Sequence, residues 1–246
     1  EVQLLIGEIQ KNTPLNIYAT TGFLYDEWGG RASMDDPCAG VQTDSTIHNP
    51  DGSRTLRSIS ARGTTLTQAD RYGRTVSEVR TPADSLAAAG VPTQTHTYVY
   101  DDDTAALAQL GLSSQAGDGS LLIYESVTTA QGQGGGNSGG SVTSSRHYSY
   151  DSLDRLVSVK ETAPGGRWFL QEYSYSLDGS VLQSASFTEG EDASDTTGTQ
   201  LGTEIYSYAG GHQTRVEFAK APAPGTVPSP SDTVVVWQLT AENDFG

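Results

Sequence analysis

The feature that most constrains the fold of this chain is a short pattern, present in one nearly complete copy and several degraded ones. The complete copy spans residues 147–159, where Tyr148 and Tyr150 alternate with small polar residues and Asp151 opens a polar stretch that ends at Arg155. Alternation on both sides of a polar turn predicts two strands joined as a hairpin. The recurrence of the pattern indicates a repeat protein.

Weaker copies of the pattern recur on both sides of the complete one. They cover residues 23–31, 47–56, 69–79, 98–101, 173–182 and 206–211, and a partial copy begins at residue 243. The position of Asp151 is held in these copies by Asp26, Asn49, Asp70, Asp101, Ser176, Ala209 and Asp244. The sequence therefore predicts an all-β fold, an array of antiparallel β-hairpin repeats forming a spiralling sheet, with a single array over residues 1–246.

Turn signals and flanking alternation coincide at four places, which predicts hairpin turns at residues 26–31, 70–74, 151–155 and 176–180. The widest gap, between Asp101 and Asp151, predicts a further degenerate copy at residues 121–125. Extra residues follow the second strand of a hairpin, so we expect insertions at the sheet edge opposite the Tyr-Asp turns. These insertions are residues 83–92, 102–119, 188–203 and 220–232.

The repeated residues have structural roles that follow from strand and turn chemistry. Alternate strand residues share a face, so the paired tyrosines of stacked hairpins are expected to form an aromatic ladder. The Asp accepts hydrogen bonds from turn N–H groups, Gly supplies a positive φ, and the Arg pairs with the Asp of its own or a neighbouring hairpin. The structural residues are Tyr25, Asp26, Arg31, Asp70, Gly73, Arg74, Tyr98, Tyr100, Asp101, Tyr148, Tyr150, Asp151, Arg155, Tyr173, Tyr175, Gly179, Tyr206 and Tyr208.

The pattern resembles the unit of the YD-repeat, or Rhs-repeat, family, which reads roughly Tyr-x-Tyr-Asp-x-x-Gly-Arg-Leu. Residues 148–159 and 70–79 approach the full unit, although Asp154 stands where the family has Gly. The resemblance implies a long hairpin sheet that spirals, in larger members, into a hollow shell around a cargo polypeptide. Because the sequence opens without an initiator Met and stops within a partial copy of the pattern, we expect it to be an excerpt of a longer YD-repeat protein.

Composition narrows the classes of partner. The formal net charge is -16, from 30 acidic and 14 basic residues, and this argues against nucleic acid, whose phosphates require clustered Lys and Arg. We expect a solvated acidic surface that keeps an edge-rich β protein soluble. The single cysteine, Cys38, excludes an internal disulfide framework, and no apolar run approaches the ~20 residues that span a bilayer, so no membrane insertion is expected.

The sequence contains no motif that indicates catalysis. Histidines at 48, 96, 147 and 212 show no metal-ligand spacing, and three of them recur with the repeat at strand positions, which favours structural roles. The glycine-rich residues 132–140 lack the Lys and the following helix of a phosphate-binding loop. No organic cofactor and no enzymatic activity are expected.

Calcium is the one ion that the sequence makes a candidate, against the alternative of solvated loop charges. Two acidic clusters could supply several of the six to eight oxygens that calcium takes. The candidate ligands are Asp101, Asp102, Asp103, Glu189, Glu191, Asp192 and Asp195. Trp28, Trp168 and Trp237 are candidates for stacking on a sugar face, with buried strand positions as the alternative.

The leading functional hypothesis is a non-enzymatic structural module of an extracellular or cell-surface YD-repeat assembly that encloses or displays other polypeptides. The alternative is a carbohydrate- or protein-binding module that uses the long loops opposite the Tyr-Asp turns. The expected partners are flanking repeats of a parent chain or other copies of this chain, and a cargo polypeptide or a glycan. The strand over residues 233–239 is charge-free, so we expect its open edge to pair with a further repeat or another copy.

Overall fold

The structure, a computed structural model, describes residues 9–12, 17–26, 29–36, 40–130, 140–176, 182–209, 212–221 and 233–238. Two short α-helices, α1 (Asp84–Ala88) and α2 (Thr104–Gln109), and a 3-10 turn at Ser113–Gln115 accompany the strands. The strands are β1 (Ile9–Asn12), β2 (Ile17–Thr20), β3 (Gly22–Tyr25), β4 (Arg31–Asp36), β5 (Gly40–His48), β6 (Arg54–Ser60), β7 (Gly63–Ala69), β8 (Thr75–Pro82), β9 (Thr93–Tyr100), β10 (Leu122–Ala130), β11 (Ser141–Tyr150), β12 (Leu156–Thr162), β13 (Trp168–Tyr175), β14 (Leu182–Gly190), β15 (Thr199–Ala209), β16 (His212–Lys220) and β17 (Thr233–Gln238).

Strands β3 to β17 form one open antiparallel sheet in which every strand lies beside its neighbours in sequence. Strands β1 and β2 pair with each other in a separate two-stranded sheet. A sheet in sequence order is what consecutive hairpins produce, because each turn returns the chain beside the strand it has just left. The predicted all-β array of antiparallel hairpins is therefore confirmed.

The described residues divide into two compact units. The N-terminal unit comprises Glu1–Tyr98 and Ser126–Thr143, and the C-terminal unit comprises Val99–Glu125 and Ser144–Gly246. Each unit contains complete hairpins of the repeat.

Three of the four predicted hairpin turns share one backbone geometry. Around Asp70, the N–H of Asp70 donates to the carbonyl of Arg74 over 2.9 Å, and the N–H of Gly73 donates to the carbonyl of Asp70 over 3.0 Å. Equivalent bonds close the turns that begin at Asp26 and Asp151. The fourth predicted turn, at 176–180, lies outside the described residues apart from Ser176.

In each of these hairpins, the residue three positions after the turn Asp has a left-handed backbone conformation. Gly29 has a φ of 79° and Gly73 a φ of 84°, whereas the third turn has Asp154 at 59°. Asp154 is the one non-glycine residue with positive φ in the described part of the chain. Asp and Asn tolerate this region better than other side chains, so the turn forms without the Gly of the family pattern.

The predicted strand is present at residues 122–125, within β10, but the prediction of a separate hairpin copy at 121–125 is wrong. Its correction explains the insertion before it. The N–H of Asp101 donates to the carbonyl of Leu121 over 3.0 Å, the bond that joins Asp70 to Arg74 in an uninterrupted turn. Leu121 and β10 therefore complete the hairpin that β9 begins. Residues 102–119 are an insertion within the turn itself. They lie at the Tyr-Asp end of the sheet and not at the opposite edge, where they were expected.

The inserted segment supplies the small core of the C-terminal unit. Leu107 of α2 is fully buried against Val99 and Ile123, which belong to the two strands that the insertion connects. Tyr150 packs against this cluster from β11. A sheet one layer thick buries little apolar surface, so a helix folded over it provides burial that the strands alone lack.

Candidate functional site

The Asp of the repeat uses its carboxylate to close the turn, an arrangement that we call the Asp clamp. Asp70 Oδ1 accepts the N–H groups of Tyr72 and Arg74, both over 2.9 Å, and its Oδ2 accepts Nε of Arg74 over 2.6 Å. Burial raises the pKa of Asp70, but the bonds from Arg74 and Tyr72 outweigh it and hold the pKa below its usual 3.8.

The same clamp recurs at other copies, with the position four residues after the Asp as its partner. Asp151 Oδ1 accepts the N–H of Arg155 over 3.1 Å and Oδ2 accepts its Nε over 2.8 Å, and these bonds lower the pKa of Asp151. Asp26 accepts the N–H of Gly30 over 2.7 Å. Asp101 accepts the N–H of Leu121 over 3.2 Å, although the partner is far along the chain.

Arg31 differs from Arg74 and Arg155 in its partner. Its Nε donates to Oδ2 of Asp44 on β5 over 2.7 Å, so it joins two hairpins, whereas Arg74 and Arg155 pair with the Asp of their own turn. Pairing within the turn is therefore confirmed for Arg74 and Arg155, whereas Arg31 reaches the neighbouring hairpin at Asp44, a strand residue and not a turn Asp.

The second Tyr of a copy ties its hairpin to the preceding one. The hydroxyl of Tyr150 donates to the carbonyl of Leu122 over 3.0 Å, and that of Tyr175 donates to the carbonyl of Leu156 over 2.7 Å. The guanidinium of Arg155 lies 4.6 Å from the ring centroid of Tyr175, which adds a cation–π contact between the two hairpins.

Tyrosines at other repeat positions bond to carboxylates. Burial and a 2.8 Å hydrogen bond to Glu125 raise the pKa of Tyr148 to about 12. Tyr206 donates to Glu204, and burial with this bond raises the pKa of Tyr206 as well.

The other repeat tyrosines are placed by the strand register. Tyr173 lies opposite Ala185, Tyr208 lies opposite Gln213, and Tyr25 lies opposite Arg31. Tyr98 and Tyr100 are in β9, and Gly179 lies outside the described residues.

The aromatic ring stack in the C-terminal unit is formed by phenylalanines. The ring centroids of Phe169 and Phe187 are 5.9 Å apart, and those of Phe187 and Phe218 are 6.2 Å apart. Phe187 lies opposite Gly202 on β15, and a Cβ there would stand 2.4 Å from the Phe218 ring. Gly202 therefore leaves the space through which Phe218 on β16 reaches Phe187 on β14.

The phenylalanine stack shares its face with Tyr173, because Phe187 follows Ala185 by two residues and Ala185 lies opposite Tyr173. Phe169, Phe187 and Phe218 lie outside the repeat pattern, so the pattern does not predict this stack. Each Phe stands alone in its strand, and only the register of four strands brings the rings together. The alternation around Phe187 and Phe218 predicts which strand residues share a face, but it does not predict which residue of another strand each ring contacts.

Trp168 is buried within the C-terminal unit and is 6% exposed. Its indole N–H donates to the carbonyl of Asp195 over 2.8 Å, and Nζ of Lys160 lies 4.5 Å from the ring centroid. A Cβ on Gly190 or Gly198 would overlap the indole. A sugar could stack on Trp168 only after displacing the loop over residues 191–198. Trp28 and the side chain of Trp237 lie outside the described residues.

The acidic loop over residues 191–198 is folded by its own carboxylates. Asp192 Oδ1 accepts the N–H of Ser194 over 2.8 Å, and Asp195 Oδ1 accepts the N–H of Gly198 over 2.8 Å. These bonds lower the pKa of both residues. Glu189 pairs at 3.9 Å with Arg167, and the N–H of Glu191 donates to Asp195 over 3.3 Å.

The other candidate calcium ligands are used separately. Asp101 is buried in its clamp, and Asp103 caps α2 by accepting the N–H of Ala106 over 3.0 Å. Asp102 has interactions of its own. Over the described residues, no three side chains of His, Cys, Asp or Glu converge as a group that could hold a metal ion.

Each unit contains a cavity beside its repeat residues. A cavity of about 200 Å³ in the C-terminal unit is lined by Asp101, Gln115 and Tyr150. Gln115 also contacts the imidazole of His147 at 2.7 Å, and burial followed by the charge of Lys160 lowers the pKa of His147.

A larger groove, of about 500 Å³, lies in the N-terminal unit on the sheet face that carries Tyr98. Thr67 of the groove lies opposite Glu78, and Glu78 lies opposite His96, which shares its strand face with Tyr98. Its wall includes Arg31, Gln42, Asp44, Thr65 and Thr67. Burial raises the pKa of Asp44, but hydrogen bonds from Gln42, Ser58 and Arg31 outweigh it and lower the pKa. The groove therefore places ordered polar groups around an ionised carboxylate, with Leu56 as an apolar part of its lining.

Comparisons with known proteins leave the family open: no family model matches the chain, and no curated protein sequence matches it. In the part of the chain that the structure describes, none of the helices has the length and apolar character needed to cross a membrane.

Proposed function

We propose that the chain is a non-enzymatic structural module of an extracellular or cell-surface YD-repeat assembly, a wall of hairpins that encloses or displays other polypeptides. The observation that supports this most directly is the sheet in sequence order, closed at one end by recurring Asp clamps. Such an array extends by adding hairpins, and each new hairpin needs only its predecessor as a template.

The ties between hairpins support the same function. Tyr150 and Tyr175 each hold the carbonyl of the preceding hairpin, so the repeat residues carry contacts between neighbours as well as within a turn. These contacts join partly buried hydroxyls to backbone carbonyls, which suits them to stabilising a wall.

The last strand supplies the edge through which the wall would continue. Among the described residues, β17 pairs on one side only, with β16. Val234 is 61% exposed, Val235 44% and Val236 59%, and β17 contains no charged residue. An uncharged edge of this kind pairs readily with another strand. We propose that it pairs with a further repeat of a longer chain or with another copy.

Sedimentation velocity over a concentration series tests this proposal. The unaltered chain should self-associate, and Val235→Lys should shift it to monomer while its circular dichroism is unchanged. Val41→Lys is the matched control, because Val41 is also exposed but lies in β5, which has strands on both sides. A strictly monomeric chain whose residues 233–238 exchange their amide hydrogens freely would contradict the proposal.

The groove around Asp44 favours a second candidate, a module that binds a carbohydrate or a protein segment. Its Arg, Gln and Thr side chains offer donors and acceptors on one face, which suits vicinal hydroxyls. A glycan array tests it. Binding that Asp44→Ala abolishes and Glu172→Ala leaves intact would support this function, and an array without signal would contradict glycan binding.

A further inference from the structure

A cavity of about 360 Å³ in the N-terminal unit has an apolar wall and two arginines among its lining residues. It lies where β7 and β8 meet the α1 segment that follows β8. The apolar part of its wall is formed by Pro82, Leu86, Val91 and Pro92. This volume falls in the range of small-molecule sites, which are roughly 300–1,000 Å³ and mostly apolar with a few polar groups that orient the ligand.

Backbone hydrogen bonds fix the position of the α1 segment, residues 83–92, which carries Leu86 and Val91. The N–H of Ala83 donates to the carbonyl of Arg62 over 3.0 Å, which fastens the start of the α1 segment to the turn between β6 and β7. The N–H of Val91 donates to the carbonyl of Leu86 over 2.9 Å, which closes the end of the segment. Val91 nevertheless remains 42% exposed. The apolar surface is thus fixed in place without being covered by the described residues.

The two cations of the cavity differ in their partners. Nε of Arg80 donates to Oε1 of Glu78 over 2.5 Å, so its charge is matched. Arg62 has a backbone bond to Ser60, but within the described residues its guanidinium forms no ion pair and no hydrogen bond. Arg62 is exposed, so its guanidinium is accessible to an anionic ligand that enters the cavity beside it.

We propose that this cavity binds a small carboxylate with an apolar body, the carboxylate at Arg62 and the body against Pro82, Leu86 and Val91. A guanidinium fork matches the two oxygens of a carboxylate, and the apolar wall matches a short hydrocarbon chain or side chain. The proposal does not depend on the structural function proposed above.

The chemistry of the wall separates this ligand from two alternatives. A phosphate dianion would use Arg62 and the Ser and Thr side chains of the lining, but it has no apolar part to pack against Pro82, Leu86 and Val91. A neutral apolar molecule would pack against the apolar wall but leave the guanidinium of Arg62 without an oxygen partner. The carboxylate and the apolar body are therefore recognised by different residues, and each can be tested by itself.

Isothermal titration of the full chain with octanoate tests the proposal, with 1-octanol and octylammonium as the uncharged and oppositely charged probes. Octanoate should bind, and 1-octanol and octylammonium should bind at least tenfold more weakly. Arg62→Gln should weaken octanoate binding at least tenfold, and Arg62→Lys should restore part of it. Arg71→Gln is the control, because it removes the same charge from an exposed turn outside the cavity.

A second comparison identifies the source of the carboxylate. N-acetyl-leucine carries the carboxylate and side chain of a peptide C-terminus. N-acetyl-leucinamide has the same side chain without the charge and is the control. Tighter binding of N-acetyl-leucine than of octanoate would assign the cavity to chain termini, and the reverse order would assign it to free carboxylic acids. Equal binding of octanoate and 1-octanol, or an octanoate affinity that Arg62→Gln leaves unchanged in a folded variant, would overturn the proposal.

Discussion

The Tyr-bearing faces of the two units are built on the same hairpin but present different chemistry. In the N-terminal unit, Asp44 lies opposite Ser58, which lies opposite Thr65, so the row across the strands is polar. In the C-terminal unit, Tyr173 lies opposite Ala185, and the neighbouring row carries Phe187. The Asp clamp recurs in both units, at Asp70 and at Asp151.

The difference shows that the repeat motif specifies turns and not faces. In the N-terminal unit the aliphatic row lies on the other side of the sheet, where Leu66 is opposite Val79. A side chain faces one side or the other according to its distance from the turn, and the motif leaves those positions free. The clamp can therefore support a polar groove in one unit and an aromatic stack in the other.

The largest effect is expected from the centre of the stack. Phe187→Ala should lower the free energy of unfolding of the C-terminal unit by about 2–4 kcal/mol, because Phe187 contacts two other rings. Urea unfolding measures this. Phe169→Ala should cost less, because Phe169 has one ring partner and is partly exposed. Equal losses of unfolding free energy for the two variants would mean that the second ring contact of Phe187 contributes nothing to stability.

Gly202→Ala should also be destabilising, by about 1–3 kcal/mol, because the added Cβ would stand 2.4 Å from the Phe218 ring and 2.7 Å from the carbonyl of Ala219. Gly140→Ala is the control, since nothing lies within 4 Å of a Cβ there. Thermal unfolding of the two variants decides the point. If both substitutions behave alike, Phe218 does not need the space over β15.

Asp70→Asn should weaken the N-terminal unit by about 1–2 kcal/mol at neutral pH, because the charge-assisted bonds to Arg74 are lost. The pKa of Asp70 is lowered on folding, so its contribution is present above the usual 3.8 and is lost as pH falls through the folded value. The difference between variant and parent should therefore shrink below about pH 3.8. A difference that stays constant into acid would exclude the ionised carboxylate as its cause.

The clamps of Asp70 and Asp151 differ at their left-handed residue, which is Gly73 in the first and Asp154 in the second. Substitution can exchange these two residue types. Asp154→Gly should stabilise the C-terminal unit by about 0.5–1 kcal/mol, because Gly adopts a φ of 59° without the strain of a side chain. Gly73→Asp should destabilise the N-terminal unit by a similar amount. Paired denaturation curves measure both changes. If Asp154→Gly is destabilising, the Asp154 side chain must have a role beyond the turn.

The smallest effect is expected at Arg31. Arg31→Gln should change stability by less than about 1 kcal/mol, because the Arg31 side chain is 40% exposed and exposed ion pairs contribute little. It should raise the pKa of Asp44, which nuclear magnetic resonance titration of that carboxyl can measure. An unchanged pKa would mean that Gln42 and Ser58 alone hold the Asp44 carboxylate in its ionised form.

The sequence determined the hairpins because their signals are local. Asp70, Gly73 and Arg74 lie within five consecutive residues, and the bonds that close their turn join residues three and four positions apart. Alternation around each turn defines the strands, so the turns at Asp26, Asp70 and Asp151 and the all-β array follow from residues that are neighbours in the chain.

Only the tertiary structure decided which distant residues meet. The clamp between Asp101 and Leu121 spans an inserted helix, and the stack of Phe169, Phe187 and Phe218 depends on the register of four strands. A shift of one residue would turn any of these rings to the other face, and no local pattern records that register. The same reason explains why the partner of Arg31 proved to be Asp44 on another hairpin.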